Sequence, residues 1–239
     1  MKLLDLTLAS PEENVALDEA LIEEAESGGL REDVLRLWEP SRPAVIVGRS
    51  SRVEQEVDVD FCRQHDVPIL RRCSGGAAVV IGPGCLMYGV LLSYYRFPNL
   101  RMVDAAHEFV LEHVAAAVSK HHPNAQFQGI SDLTLADRKF SGNSLRCKRH
   151  HLLYHGTLLC RFPLELISNC LRTPPRQPEY RADRPHDEFV INLDCDVEII
   201  RQSLVNQWKA NSTLDNWPTE RTRKLVAQRY ASDAWNFRL

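Results

Sequence analysis

Between residues 67 and 93 the chain carries three β-rich runs, Val67 to Arg71, Ala77 to Ile81 and Leu86 to Ser93, broken by Gly75-Gly76 and Gly82-Pro83-Gly84. Runs of that length bounded by glycine and proline read as strands. Upstream, Val34 to Trp38 and Ala44 to Val47 are separated by Pro40 and Pro43 and read as neighbouring strands. Downstream, Leu133 to Ala136, Lys139 to Ser144 and Leu152 to Cys160 continue the pattern. Helices frame these strands. Ser10-Pro11-Glu12-Glu13 is a capping box with proline at the first helical position, and Ala16, Leu17, Ala20 and Leu21 follow at helical spacing until Gly28-Gly29. Ala106, Phe109, Val110, His113 and Ala117 mark another helix, stopped before Pro123. Val197, Ile200, Leu204 and Trp208, then Leu225 to Tyr230, mark two more. Strands in succession with helices between and after them make an α+β fold, a mixed, mainly antiparallel sheet with flanking helices. No linker or repeat divides residues 1–239, so a single domain is expected. Residues 172–187, rich in Pro, Arg and Asp, form a long loop of the kind that commonly carries function.

Composition narrows the class. At 44% hydrophobic and 26% charged the chain is neither disordered nor collagenous. No apolar run approaches the ~18 residues of a membrane helix. The start lacks the zones of a signal peptide, so a cytoplasmic protein without a membrane role is expected. A net charge of −3 argues against a sequence-independent grip on nucleic acid. Seven cysteines without a C-x-x-C pair argue against a disulfide framework and for small buried residues in a reducing compartment.

Three stretches carry chemistry. In Arg71-Arg72-Cys73-Ser74-Gly75-Gly76-Ala77, two arginines precede backbone that can form an anion-binding nest. Arginine adds bidentate donors for phosphate or carboxylate. The plain alternative is a glycine turn with solvated arginines. In Ser131-Asp132-Leu133 and Lys139-Phe140-Ser141-Gly142-Asn143, Lys139 and Phe140 point to opposite faces. An inward lysine wants an anion, and Asp132 can help to hold Mg²⁺ beside phosphate; an edge-strand surface lysine is the alternative. In His155-Gly156-Thr157, glycine in a strand suggests close backbone approach. Cys147, His151 and His155 match no structural zinc spacing.

In this order the segments resemble the catalytic domain of the lipoate–protein ligase family, related to biotin ligases and octanoyltransferases. Asn14-Val15-Ala16-Leu17-Asp18-Glu19-Ala20-Leu21, Leu35 to Glu39, Val47-Gly48-Arg49 and the Tyr180-Arg181-x-x-Arg184-x-His186 loop share the likeness, which spans about residues 1–195. The resemblance implies an enzyme that converts lipoate and ATP, with Mg²⁺, to lipoyl-AMP and transfers the acyl group to a lysine of a lipoyl carrier domain. Such carriers belong to 2-oxoacid dehydrogenase E2 chains or are glycine-cleavage H-like proteins. It implies Lys139 as the catalytic residue touching the acyl carbonyl and α-phosphate. It places Arg72, Ser74, Gly75, Gly76, Ala77, Asp132, Ser141, Gly142, Asn143, His155, Gly156 and Thr157 around the adenylate. Val79, Val90 and Leu158 are candidates for the acyl slot. Lys148, Arg149, Arg172, Arg176, Arg181 and Arg184 are candidates for carrier docking.

Ala77, Ile81 and Cys85 depart from the family's usual glycine, histidine and asparagine. Residues 196–239 read as C-terminal helices too few for the accessory domain such ligases carry or recruit, which points to a separate accessory ligase subunit or a preformed acyl-adenylate. Two other readings stand beside the ligase: an ATP-independent octanoyl or lipoyl acyltransferase with Cys170 or Cys147 as nucleophile, and a noncatalytic lipoyl- or biotin-binding scaffold.

Overall fold

The computed structural model describes residues 1–239. Its strands are β1 (Lys2–Asp5), β2 (Val34–Trp38), β3 (Ala44–Val47), β4 (Ile69–Arg71), β5 (Val79–Ile81), β6 (Cys85–Ser93), β7 (Gln126–Gln128), β8 (Asp132–Leu135), β9 (Arg138–Cys147), β10 (His151–Leu159) and β11 (Ser212–Thr213). The helices are α1 (Pro11–Glu26), α2 (Val53–Glu56), α3 (Val59–Gln64), α4 (Val103–Ser119), α5 (Glu165–Cys170), α6 (His186–Phe189), α7 (Val197–Trp208), α8 (Thr219–Leu225) and α9 (Asp233–Asn236).

Eight strands form one sheet in the order β11-β1-β2-β6-β10-β9-β8-β7. It is antiparallel from β2 onward, and β1 runs parallel to both its neighbours. A smaller sheet, β4-β3-β5, stands apart. The expected α+β fold is present, with one correction: β2 and β3 are consecutive but lie in different sheets. Pro40 and Pro43 separate them, and proline cannot donate to a ladder, so the chain leaves one sheet before entering the other.

Strand alternation divides the large sheet. Leu35, Leu37, Tyr88, Val90, Tyr154 and Leu158 face one way and pack with Val110, Val114, Ile200 and Leu204 of α4 and α7. Arg36, Trp38, Met87, His155 and Thr157 alternate with them and face α1 and the small sheet. Helix α1 begins as its sequence demands: Ser10 Oγ accepts from Glu13 N–H, and Glu13 Oε2 accepts from Ser10 N–H. Asn14 and Asp18, one turn apart, are buried on its inner side beside Leu17 and Leu21. Loop 172–187 is less irregular than expected, containing a short helical turn at Glu179–Arg181 before α6.

Candidate active site

The two sheets and α1 enclose a cleft of about 330 Å³. Val15, Trp38, Ile46, Val79, Ile81 and Met87 supply an apolar lining; Asp18, Asp132, Lys139, Asn143, His155 and Thr157 supply a polar one. A second cavity of about 130 Å³ shares Lys139, Gly142 and Thr157 with the first and reaches Ser141, Arg181 and His186.

Lys139 stands at this junction for local reasons. Ala136 and Asp137, both at positive φ (47° and 59°), turn β8 tightly into β9. A register shift follows: Thr134 pairs with Lys139 but Leu133 pairs with Ser141, leaving Phe140 as the extra residue. Such a bulge re-aims side chains. Phe140 is fully buried in the α4-side core, and Lys139 lines the cleft. Its Nζ lies 2.7 Å from Asp132 Oδ1, and Tyr180 OH donates to Asp132 Oδ2 at 2.7 Å. Gly142 gives the lysine room, since a Cβ there would sit 3.1 Å from Nζ.

Asn143 is fixed by Tyr88 OH, which donates to its Oδ1, and by its own Nδ2, which donates to Ser131 O at 2.7 Å and Ser141 Oγ at 3.0 Å. Gly156 is the counterpart of this arrangement. Any side chain there would meet Asn143 Oδ1 at 1.8 Å and Tyr88 Cε1 at 2.9 Å, which explains the His-Gly-Thr pattern.

The two arginines bind protein backbone. Arg71, fully buried, donates to the carbonyls of Gly48 (2.8 Å), Ser51 (2.7 Å), Trp235 (3.2 Å) and Asn236 (2.9 Å). Arg72 donates to Ile46 O at 2.9 Å, Ala77 O at 3.0 Å and Gly75 O, and its Nε also reaches Ser74 Oγ at 3.1 Å. Burial lowers its pKa to about 10, which leaves it charged at neutral pH. The expected phosphate-facing arginines are thus clamps that shape the glycine turn, although Arg72 lines the cleft with Gly76 and Ala77. Ser144 Oγ donates to Gly75 O at 2.9 Å and Ser51 Oγ to Gly76 O at 3.0 Å. Gly48 lets this turn approach, because a Cβ there would lie 1.8 Å from Gly76 O.

His155 joins three elements. Its Nδ1 lies 2.7 Å from Asp18 Oδ2 and its Nε2 2.6 Å from Ser74 Oγ. Arg36 donates to the other Asp18 oxygen and to Asn14 Oδ1 at 2.9 Å. Burial pushes the Asp18 pKa up, but Arg36 and His155 together hold it below the ordinary carboxylate value.

A family model described as Lipoyl protein ligase A/B catalytic domain matches residues 10–211. The chain belongs to this family. It is 23% identical over 250 residues to Lipoate–protein ligase 1 of Staphylococcus aureus, covering 96% of this chain and 71% of that protein. Its fold is shared by a bi-partite lipoate protein ligase from Thermoplasma acidophilum (TM-score 0.82, 20% identity, 99% and 95% of the two chains covered). It is shared equally by a lipoate-protein ligase A bound with ATP (TM-score 0.81, 21% identity, 99% and 98% covered).

Within this ligase-family fold the motif residues converge. Gly76, Ala77, Asp132, Lys139, Gly142, Asn143, His155, Gly156 and Thr157 line the main cleft, Ser141 lines the adjoining cavity, and Ser74 is buried behind His155. Of the acyl-slot candidates only Val79 reaches the cleft. Val90 and Leu158 alternate to the opposite face and belong to the α4-side core. Arg181 is not a docking charge: it is buried, with its guanidinium over the Phe189 ring. Arg172 and Arg176 are exposed, and Arg176 lines both cavities.

No cysteine lines either cavity. Cys170 is buried in the core beneath the small sheet and Cys147 is exposed at the end of β9. The structure contains no group of three or more His, Cys, Asp or Glu able to hold a metal. Both oxygens of Asp132 are engaged, one by Lys139 and the other by Tyr180. No helix is long and apolar enough to cross a membrane.

Asn14, Asp18 and Arg36 lie in segments that share the family likeness, but that likeness gives them no role in the site. Their signal was two polar residues, Asn14 and Asp18, four apart within the apolar stripe of α1.

Proposed function

We propose that this chain is an ATP-dependent lipoate–protein ligase, forming lipoyl-AMP and passing the acyl group to a lysine of a lipoyl carrier domain. The observation that carries the reading is Lys139, a cation that lines an apolar-walled cleft together with Gly76 and Ala77 of the glycine turn and stands where a second cavity, holding Arg176, Arg181 and His186, adjoins it. A carboxylate becomes a good acyl donor only as a mixed anhydride with AMP, and forming it crowds negative oxygens together. A fixed cation where that charge develops typically contributes about 3 kcal/mol or more. The lipoyl tail fits the apolar wall, each buried CH₂ contributing about 0.8 kcal/mol.

Arg72 acts here by fixing the turn, and Gly76 and Ala77 present backbone to the adenylate. Asn143 and Thr157 offer polar contacts beside Lys139. Mg²⁺ would enter on the nucleotide's phosphates and supply charge neutralisation there. Residues 1–239 act as one catalytic unit in this reading, since the C-terminal helices are tied to Arg71. The bi-partite system of the Thermoplasma relative and its E2 lipoyl domain support a carrier of that kind and a separate accessory chain.

The test is mass spectrometry of a carrier domain incubated with protein and lipoate, with and without ATP and a candidate accessory chain. Modification that requires ATP supports the ligase. Modification from an acyl thioester without ATP would instead favour the cysteine acyltransferase, a reading weakened by the absence of cysteine from both cavities.

A further inference from the structure

An acceptor lysine is an ammonium at neutral pH, with an ordinary pKa of ~10.4. Its nitrogen must shed a second proton as the amide forms. The cleft therefore needs a base, and its lining offers three: Asp18, Asp132 and His155. Asp132 accepts from the Tyr180 hydroxyl and stays beside the Lys139 cation even when that ammonium group turns to the acyl phosphate. Asp18 is held by Arg36 and by His155 itself. Only the imidazole remains able to gain a proton without losing an ion pair.

We propose that His155 is the general base of the transfer step and that Asp18 is its positioning residue, an inference that rests on the ligase reading above. Asp18, kept anionic by Arg36, accepts from the Nδ1–H of His155 and so fixes the tautomer in which Nε2 is unprotonated. That nitrogen accepts from the Ser74 hydroxyl, whose oxygen also accepts from Arg72 Nε. As the lysine nitrogen bonds to the acyl carbon, the carbon–oxygen bond to AMP breaks and its electron pair leaves with the phosphate. His155, which lines the cleft where Ser74 does not, takes the proton from nitrogen on Nε2 as the Ser74 hydroxyl turns away from that atom. The resulting imidazolium faces Asp18 on one side, and its charge offsets that of the carboxylate. The cations near it, Arg36 from β2, Arg72 from the turn and Lys139 across the cleft, favour rapid return of the proton to solvent.

General bases of this kind contribute 10²–10⁴-fold. The test uses His155→Gln in the full chain, its folding checked by thermal melting, with two nucleophiles offered to adenylate formed from ATP and lipoate. One is the carrier lysine. The other is hydroxylamine, which is uncharged at neutral pH and less demanding of a base. Lipoylation of the carrier is expected to fall at least a hundredfold while hydroxamate formation falls less than tenfold, and Asp18→Asn is expected to follow the same pattern more weakly. Equal losses with both nucleophiles would assign His155 a structural role, and no loss with either would remove it from the reaction; each overturns the proposal. Wild-type protein that makes no hydroxamate even with the candidate accessory chain present would instead overturn the ligase reading itself.

Discussion

Lys139 Nζ and Asp132 Oδ1 lie 2.7 Å apart at the junction of the two cavities, and the pair is only partly shielded from solvent. An anion entering the cleft competes with Asp132 for the ammonium group. The ion pair thus holds the lysine in place, and under the proposed reaction the acyl phosphate takes it over.

Lys139→Ala removes the cation without disturbing the core. Adenylate formation, read by hydroxamate trapping, is expected to fall a hundredfold or more. Stability changes by less than about 1 kcal/mol, because a partly exposed ion pair contributes little. A variant that kept full activity would remove Lys139 from the mechanism.

Gly48→Ala probes the backbone crossing beneath the glycine turn. Its Cβ would lie 1.8 Å from Gly76 O, so the turn must move. Overpacking of this kind typically costs about 1–3 kcal/mol. Calorimetry is expected to find a lowered Tm, and lipoate binding by titration is expected to weaken tenfold or more.

Asp18 makes stability depend on acid pH with a defined sign. Its folded pKa is depressed, so the stabilisation is present above the unfolded pKa of ~3.9 and is lost as pH falls through the folded value. Urea unfolding between pH 5 and 3 is expected to show a shallower decline for Asp18→Asn than for wild type. At pH 7 the variant loses about 3–5 kcal/mol, because Arg36 is left buried without its anion.

Arg71 ties the carbonyls of Gly48 and Ser51 to those of Trp235 and Asn236. Arg71→Met strands these buried acceptors, at roughly 1–3 kcal/mol each when unsatisfied. Limited proteolysis is then expected to cut within residues 230–239 faster than in the wild-type chain. Equal resistance of the two chains would contradict the clamp.

Val79→Phe narrows the apolar side of the cleft. The KM for lipoate is expected to rise tenfold or more with a smaller change in kcat. An unchanged KM would place the acyl tail elsewhere.

Local chemistry determined much of this molecule. The capping box begins α1, the glycine-broken runs become β4, β5 and β6, and the alternation around Lys139 separates it from Phe140. These features depend on residues a few positions apart, and their spacing is written in the chain. Tertiary structure decided what each polar group meets. Arg71 and Arg72 read as ligand-binding cations, yet they bind carbonyls from segments up to 165 residues away. Val90 and Leu158 look like Val79 in sequence but fall on the opposite face, because register and sheet membership are fixed by long-range pairing. Asp18, His155 and Ser74 lie on three separate elements and meet only when α1 packs across β10. Hydrogen bonds and ion pairs act over a few ångströms, so distant partners are chosen by packing, which no local pattern encodes.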